Sequence, residues 1–106
     1  MQVSAVLRQG TASFLHWCPG CQEIHQLPWP DRGWTFDGNA DRPTFTPSFK
    51  HQWFRKPVAT LETCHYVLTA GVLHFQSDCT HILAGQVVPL PELPPELRDP
   101  CDWSDG

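Results

Sequence analysis

Cysteine and histidine recur in this chain at spacings that suit a metal ion. Cys18-Pro19-Gly20-Cys21 sets two thiols on either side of a glycine-containing turn. That is the half-site that presents two thiolates to one tetrahedral ion. Two further groups follow, Cys64-His65 and Cys79-Thr80-His81. Zinc takes four N or S ligands in structural sites, and three plus a water in hydrolytic ones. The expected set is therefore Cys18, Cys21 and Cys64, completed by Cys79 or His81, with His65 as the alternative to Cys64. His25 follows the knuckle closely enough to act as a nearby ligand or to support one. Five cysteines is an odd count that suits a disulfide framework poorly, and Cys101 is the expected spare thiol. The stretch between Cys21 and Cys64 exceeds the ~15–20 residues of an ordinary zinc ribbon. The module is ribbon-like at one end, with a β segment inserted between its halves.

His25, His65, His74 and Asp78 are the residue types that could move protons. In one register of the hairpin described below, His65 and Asp78 lie near each other on its polar face, an acid–base arrangement in principle. Histidines on an exposed strand face are more often simple polar side chains, so no catalytic residue is assigned from sequence.

The elements that must position these groups are short strands. Val3 to Leu7 reads as a first strand and Ala12 to Trp17 as a second, which runs into the cysteine turn. Leu27 to Gly33 is a loop. Trp34-Thr35-Phe36 is a short β-prone run closed by the turn signal Asp37-Gly38-Asn39. Arg42 to Phe49 carries two prolines, each of which extends its predecessor and removes a donor, so it is an edge strand or an ordered loop. Phe45 and Phe49 are expected to point inward.

Cys64 to Gln76 is the clearest element, a β-hairpin turning at Ala70-Gly71. A two-residue turn opposes Thr69 to Val72 and puts Cys64, Tyr66, Leu68, Leu73 and Phe75 on one face. A three-residue turn would move His65, Val67, Leu73 and Phe75 together instead. The first separates apolar from polar better. Asp78 to Gly85 reads as a short capped turn of helix, and Val87-Val88 resumes a strand. No stretch sustains a 3.6-residue period. The expected fold class is mainly β, a small single-domain sandwich or partly open barrel with a zinc-ribbon-like knuckle and little helix. Residues 1–90 are expected to form the zinc-stabilised domain and 91–106 an acidic, proline-rich tail.

Charge narrows the partners. Up to residue 90, Glu23, Asp31, Asp37, Asp41, Glu62 and Asp78 balance Arg8, Arg32, Arg42, Lys50, Arg55 and Lys56; the net charge of −4 comes from the end of the chain. A neutral body with an acidic tail binds phosphate backbones poorly, so nucleic acid is disfavoured. No apolar run reaches the ~18 residues of a membrane span, and no leader pattern opens the chain, so a cytoplasmic, thiol-reducing setting is expected. Five tryptophans suit a core, and any left exposed near Pro43 to Pro47 would suit a protein partner.

Taken together, Cys18-Pro19-Gly20-Cys21, His25, Gly33-Trp34-Thr35-Phe36, Arg42 to Ser48, Cys64-His65 and Asp78 to Gln86 resemble a family of small phage and prophage proteins. Some of its members sit beside bacterial ubiquitin-like conjugation genes. The resemblance spans about residues 14–90; it implies a phage or prophage origin, a Cys/His metal site and, for a phage protein, the host cytoplasm, but no activity. Two function classes follow. One is a zinc-stabilised β module that binds a protein partner. The other is a zinc-dependent hydrolase with an open coordination position. The first is the expectation from sequence.

Overall fold

Alternation of apolar and polar side chains decides the architecture. The computed structural model describes residues 2–11, 13–28, 33–57 and 59–98; Trp29, Pro30, Cys101 and Trp103 lie outside them. Strands β1 (Arg8–Gln9), β2 (Ser13–Cys18) and β3 (Glu23–Pro28) form one antiparallel sheet in the order β1-β2-β3. Strands β4 (Thr35–Phe36), β5 (Phe45–Arg55), β6 (Thr60–Thr69), β7 (Val72–Phe75) and β8 (Val87–Pro89) form a second, in the order β4-β5-β6-β7-β8. Both are meanders in which each strand pairs with its neighbour in sequence, and both are open sheets, not a closed barrel.

Every second residue of β2 is buried (Phe14, His16, Cys18), as is every second residue over the second half of β6 (Cys64, Tyr66, Leu68). These faces meet with Leu27, Phe45, Leu73 and Phe75 in one core. Phe14 bridges the sheets, its ring 5.0 Å from that of Phe36 and 5.6 Å from that of Phe45.

The hairpin has the two-residue turn. Thr69 pairs with Val72 and Tyr66 with Phe75, so Cys64, Tyr66, Leu68, Leu73 and Phe75 all point into the core. Ala70 and Gly71 both have positive φ, 50° and 75°, the turn whose twist matches that of the strands. Its tip is fastened by Gly71 N–H to the Pro43 carbonyl (2.9 Å) and Ala70 N–H to Thr44 Oγ1 (2.8 Å).

Three stretches differ from the sequence reading. Val3–Leu7 is not a strand, because the Ser4 hydroxyl accepts from Val6 and Leu7 N–H and donates to the Ala40 carbonyl, folding the segment back. Glu23–Pro28 is a full strand paired along β2, so Leu27 and Pro28, expected in a loop, pair with Phe14 and Ser13 instead. Asp78–Gly85 forms turns with no helix: Gly85 has φ 73°, and its N–H reaches the Gln76 carbonyl. Beyond β8, Leu90 and Leu93 are buried, and Leu93 N–H bonds to the Ala5 carbonyl at 2.9 Å.

The proline-bearing segment becomes the start of β5. Phe45 pairs with Leu68 but Phe49 pairs with Tyr66, so the three residues Thr46, Pro47 and Ser48 bulge opposite Val67 alone. Phe45 and Phe49 both face inward, because the bulge preserves the alternation on either side. Strand β4 pairs with β5 only at Phe45 and Thr46, so the remainder of β5 is an edge.

The hairpin tip makes a stability prediction. Ala70→Asn should stabilise by about 0.5 kcal/mol, since asparagine tolerates positive φ better than alanine. Gly71→Ala should destabilise by about 1–2 kcal/mol, since its Cβ would sit 3.0 Å from Arg42 Cα at a φ that disfavours side chains. Thermal melts of the two variants would show shifts of opposite sign.

Candidate active site and metal centre

Because β6 alternates, adjacent residues at its middle face opposite ways. Cys64 points into the core and His65 points out. Each stands at the centre of a separate cluster.

On the inner side, the sulfurs of Cys18, Cys21 and Cys64 and a ring nitrogen of His25 all lie within 4.8 Å of one another. Cys18 and Cys64 sulfurs are 3.9 Å apart, close to the ~3.8 Å edge of a tetrahedron with metal–sulfur bonds of about 2.3 Å. None of the four described cysteines is in a disulfide. Hydrogen bonds from Cys21 and Cys64 hold the Cys18 thiol far below its ordinary range, while the same contacts push the thiols of Cys21 and Cys64 up. Three sulfurs this close cannot all be thiolates unless a cation joins them. The residues fit such an ion.

Histidine tautomers around this cluster follow from their partners. His16 and His25 are buried, and burial lowers both pKa values, His16 to about 4; both rings are neutral. His16 Nδ1 donates to the Trp17 carbonyl (3.3 Å), so its Nε2 accepts from the Tyr66 hydroxyl (2.5 Å). That hydroxyl then accepts from His25 Nδ1 (3.3 Å). His25 Nε2 is left as a bare lone pair, buried and without a hydrogen-bond partner. A buried acceptor in that condition costs about 1–3 kcal/mol, which a metal bond would remove.

His81 and Cys79 also approach Cys64, and these three come within 4.8 Å of one another. Their hydrogen bonds engage them differently. His81 Nδ1 accepts from Leu83 N–H (3.2 Å), so Nε2 carries the proton and faces Cys64 Sγ at 3.5 Å as a donor. The His81 ring packs over Gly20, where a Cβ would overlap it. Cys79, whose thiol burial pushes up, donates to the His65 carbonyl and accepts from His65 N–H, both at 3.2 Å.

On the outer side, His65 bridges a serine and a carboxylate. Its Nδ1 lies 3.1 and 3.2 Å from the two oxygens of Asp78, and its Nε2 lies 3.3 Å from Ser48 Oγ. Nδ1–H donates to Asp78, which leaves the Nε2 lone pair aimed at the serine hydroxyl. Desolvation pushes the Asp78 carboxyl up, but the hydrogen bond from His65 and the Lys50 ammonium at 3.5 Å outweigh it and hold the carboxyl below its ordinary range. Ser48 is exposed, and His65 is partly so. A hydroxyl, an imidazole and a carboxylate in this relation form the arrangement that activates a serine as nucleophile.

The local fold explains the meeting. The bulge carries Ser48 to the outer face of β5, beside the Lys50–His65 pair. The segment after β7 lies along β6, and Asp78 to His81 are each tied there. Asp78 takes the His65 side chain and Cys79 its backbone. Thr80 N–H donates to the Thr63 carbonyl (3.0 Å), and Thr80 Oγ1 donates to Glu62 (2.8 Å). His81 takes Cys64.

From sequence, His65 and Asp78 are neighbours only in one hairpin register, and no role is assigned to Ser48. The signal was the proline before it, since Thr46-Pro47 interrupts a β-prone run where an uninterrupted strand would have packed better. His74 lies on the outer face opposite Val67, joined to neither cluster.

A family model described as bacterial ubiquitination-like system serine protease (BubE) matches residues 1–76. The matched range contains Cys18, Cys21, His25, Ser48, Cys64 and His65, and Asp78 lies just past its end. No curated protein and no solved structure matches the chain.

Tyr66→Phe tests the buried relay. It strips the shared hydroxyl from His16 and His25 and leaves a buried nitrogen on each unpaired, with an expected loss of about 2–4 kcal/mol in urea unfolding. A loss under 0.5 kcal/mol would contradict the hydrogen-bond chain.

Proposed function

This chain belongs to the BubE family, and on that premise we propose that it is a serine protease of a bacterial ubiquitination-like system, built around a structural zinc ion. The observation that carries the reading is His65, whose two ring nitrogens engage Ser48 and Asp78 at once. In this reading Ser48 Oγ attacks the substrate carbonyl carbon as its proton passes to His65 Nε2. Asp78 holds the ring in that tautomer and stabilises the imidazolium. His65 then returns the proton to the leaving amine as the C–N bond breaks. Water, deprotonated by the same nitrogen, cleaves the acyl ester and restores Ser48.

The metal is read as structural. Cys18, Cys21, Cys64 and the lone pair of His25 supply four N/S donors, the number that closes a tetrahedral zinc site. Zinc bound there would neutralise the thiolates and brace β2, β3 and β6 against one another. His81 supports Cys64 by donating to its sulfur, and Cys79 is engaged with the backbone of His65. A closed shell leaves no coordination position for a hydrolytic water, and the serine cluster supplies a nucleophile without one. The protein partner expected from sequence is, on this view, the substrate. A phage or prophage source remains compatible with it. No described helix is long and apolar enough to cross a membrane.

Two experiments test these roles. A fluorophosphonate probe should label the wild-type chain at Ser48. Hydrolysis of an activated ester should fall about 10³-fold or more in Ser48→Ala and His65→Ala, with the double variant little worse than either single one. Labelling at another serine, or full activity in Ser48→Ala, would remove the assignment. Separately, elemental analysis should return one zinc per chain, falling well below that in His25→Ala but staying near one in Cys79→Ser. Chelation should unfold much of the protein, because structural zinc contributes on the order of 10 kcal/mol. A chelated chain with its melting temperature unchanged would count against the site.

A further inference from the structure

The nucleophile sits at the end of an open strand edge. Strand β4 covers β5 only at Phe45 and Thr46. From Ser48 to Arg55, β5 pairs with β6 on one side. On its other side no strand pairs with it, and the only further backbone bond within this span is from Ala59 N–H to the Arg55 carbonyl, among the described residues. In an antiparallel ribbon every second residue turns its N–H and C=O away from its partner. Roughly half the residues between Ser48 and Arg55 therefore offer backbone donors and acceptors along a row of about 20 Å. Exposed rows of this kind are templates for an added strand.

A cleft runs beside the same edge. Ile24, His25 and Gln26 of β3 and Phe49 and His51 of β5 line a cavity of about 290 Å³ between the two sheets. Phe49 and His51 are one and three residues from Ser48, on the inner face of β5, opposite Tyr66 and Cys64. Side chains of an added strand would alternate, one set toward this cleft and the other toward the outer face. The cleft wall is aromatic: His25 stacks on Phe49 at 4.9 Å, and His51 on Trp53 at 4.9 Å.

We infer that the substrate is an extended polypeptide segment that binds as an additional antiparallel strand on the β5 edge, and that its acyl-side residues run from Arg55 toward Ser48. Its scissile carbonyl reaches Ser48 where β4 ends the open edge. One of these acyl-side residues places a bulky apolar or aromatic side chain in the cleft lined by Phe49 and His51. Recognition is then mainly through the backbone, so the substrate must be unfolded locally and carry a flexible tail several residues long. The inference rests on Ser48 being the nucleophile and adds what that nucleophile acts on.

The test uses the full chain and varies the substrate. Acetyl-hexapeptidyl coumarylamides from a positional-scanning library identify a cleaved sequence, and p-nitrophenyl acetate serves as a small ester that needs no strand pairing. In the best hexapeptide, single N-methylation of each amide should lower kcat/KM at alternate positions by roughly tenfold, the effect of one lost hydrogen bond, and leave intervening positions within about twofold. Shortening to a dipeptide should lower kcat/KM at least tenfold. If the ester is hydrolysed in a Ser48-dependent way but the N-methyl scan is flat, or no peptide is cleaved, strand addition is overturned and the serine assignment stands. If neither labelling nor ester hydrolysis depends on Ser48, the underlying reading fails first. A dimer seen by sedimentation that excess hexapeptide does not dissociate would give the edge to a second copy of the chain, and would also overturn the inference.

Discussion

The alternation of one strand is the constraint on which the rest of the molecule depends. In β6, Cys64 faces the thiol cluster and His65 faces Ser48 and Asp78. A peptide unit links them, so fixing one side chain fixes the origin of the other. Holding Cys64 from the inside holds the backbone from which His65 projects, and serine activation needs that imidazole placed to within a fraction of an ångström. The two centres share a scaffold without sharing ligands.

The segment after β7 completes the arrangement from outside. Asp78, Cys79, Thr80 and His81 each bond to β6 in turn, Asp78 and His81 to side chains, Cys79 to backbone and Thr80 to both. His65 is thereby held at its ring by Asp78 and at its own N–H and C=O by Cys79, with Gln76 N–H adding a bond to the same carbonyl. A small domain with few elements has little packing to spare for positioning a side chain. Here hydrogen bonds from four consecutive residues do that positioning.

What could be read in the sequence was what local pattern determines. The hairpin register was legible because Ala70-Gly71 marks the turn and the apolar alternation through Tyr66, Leu68, Leu73 and Phe75 allows one good assignment. The thiols were legible from the spacing of Cys18 and Cys21. Strand β3 was obscured because its buried positions include His25, a polar residue where the pattern calls for an apolar one. Ser4 hid the bend at the N-terminus, since a hydroxyl that caps a turn looks like any surface serine. Ser48 was hidden for a different reason. Its role exists only across strands, and its direction depends on a bulge that no local propensity encodes. Spacing likewise left Cys79 and His81 open as partners of the thiols, because tautomers follow from hydrogen-bond partners distant in sequence.

The bulge at Thr46, Pro47 and Ser48 also limits how this chain can vary in length. It holds two residues more than the opposing stretch of β6, and an even surplus leaves the inward and outward sides of β5 unchanged beyond it. A surplus of one or three would interchange them: Phe49 and His51 would face solvent, and Lys50 would enter the core. Insertions and deletions among relatives at this place should therefore come in even steps. The geometry tolerates a longer or shorter bulge, but only one of the same parity.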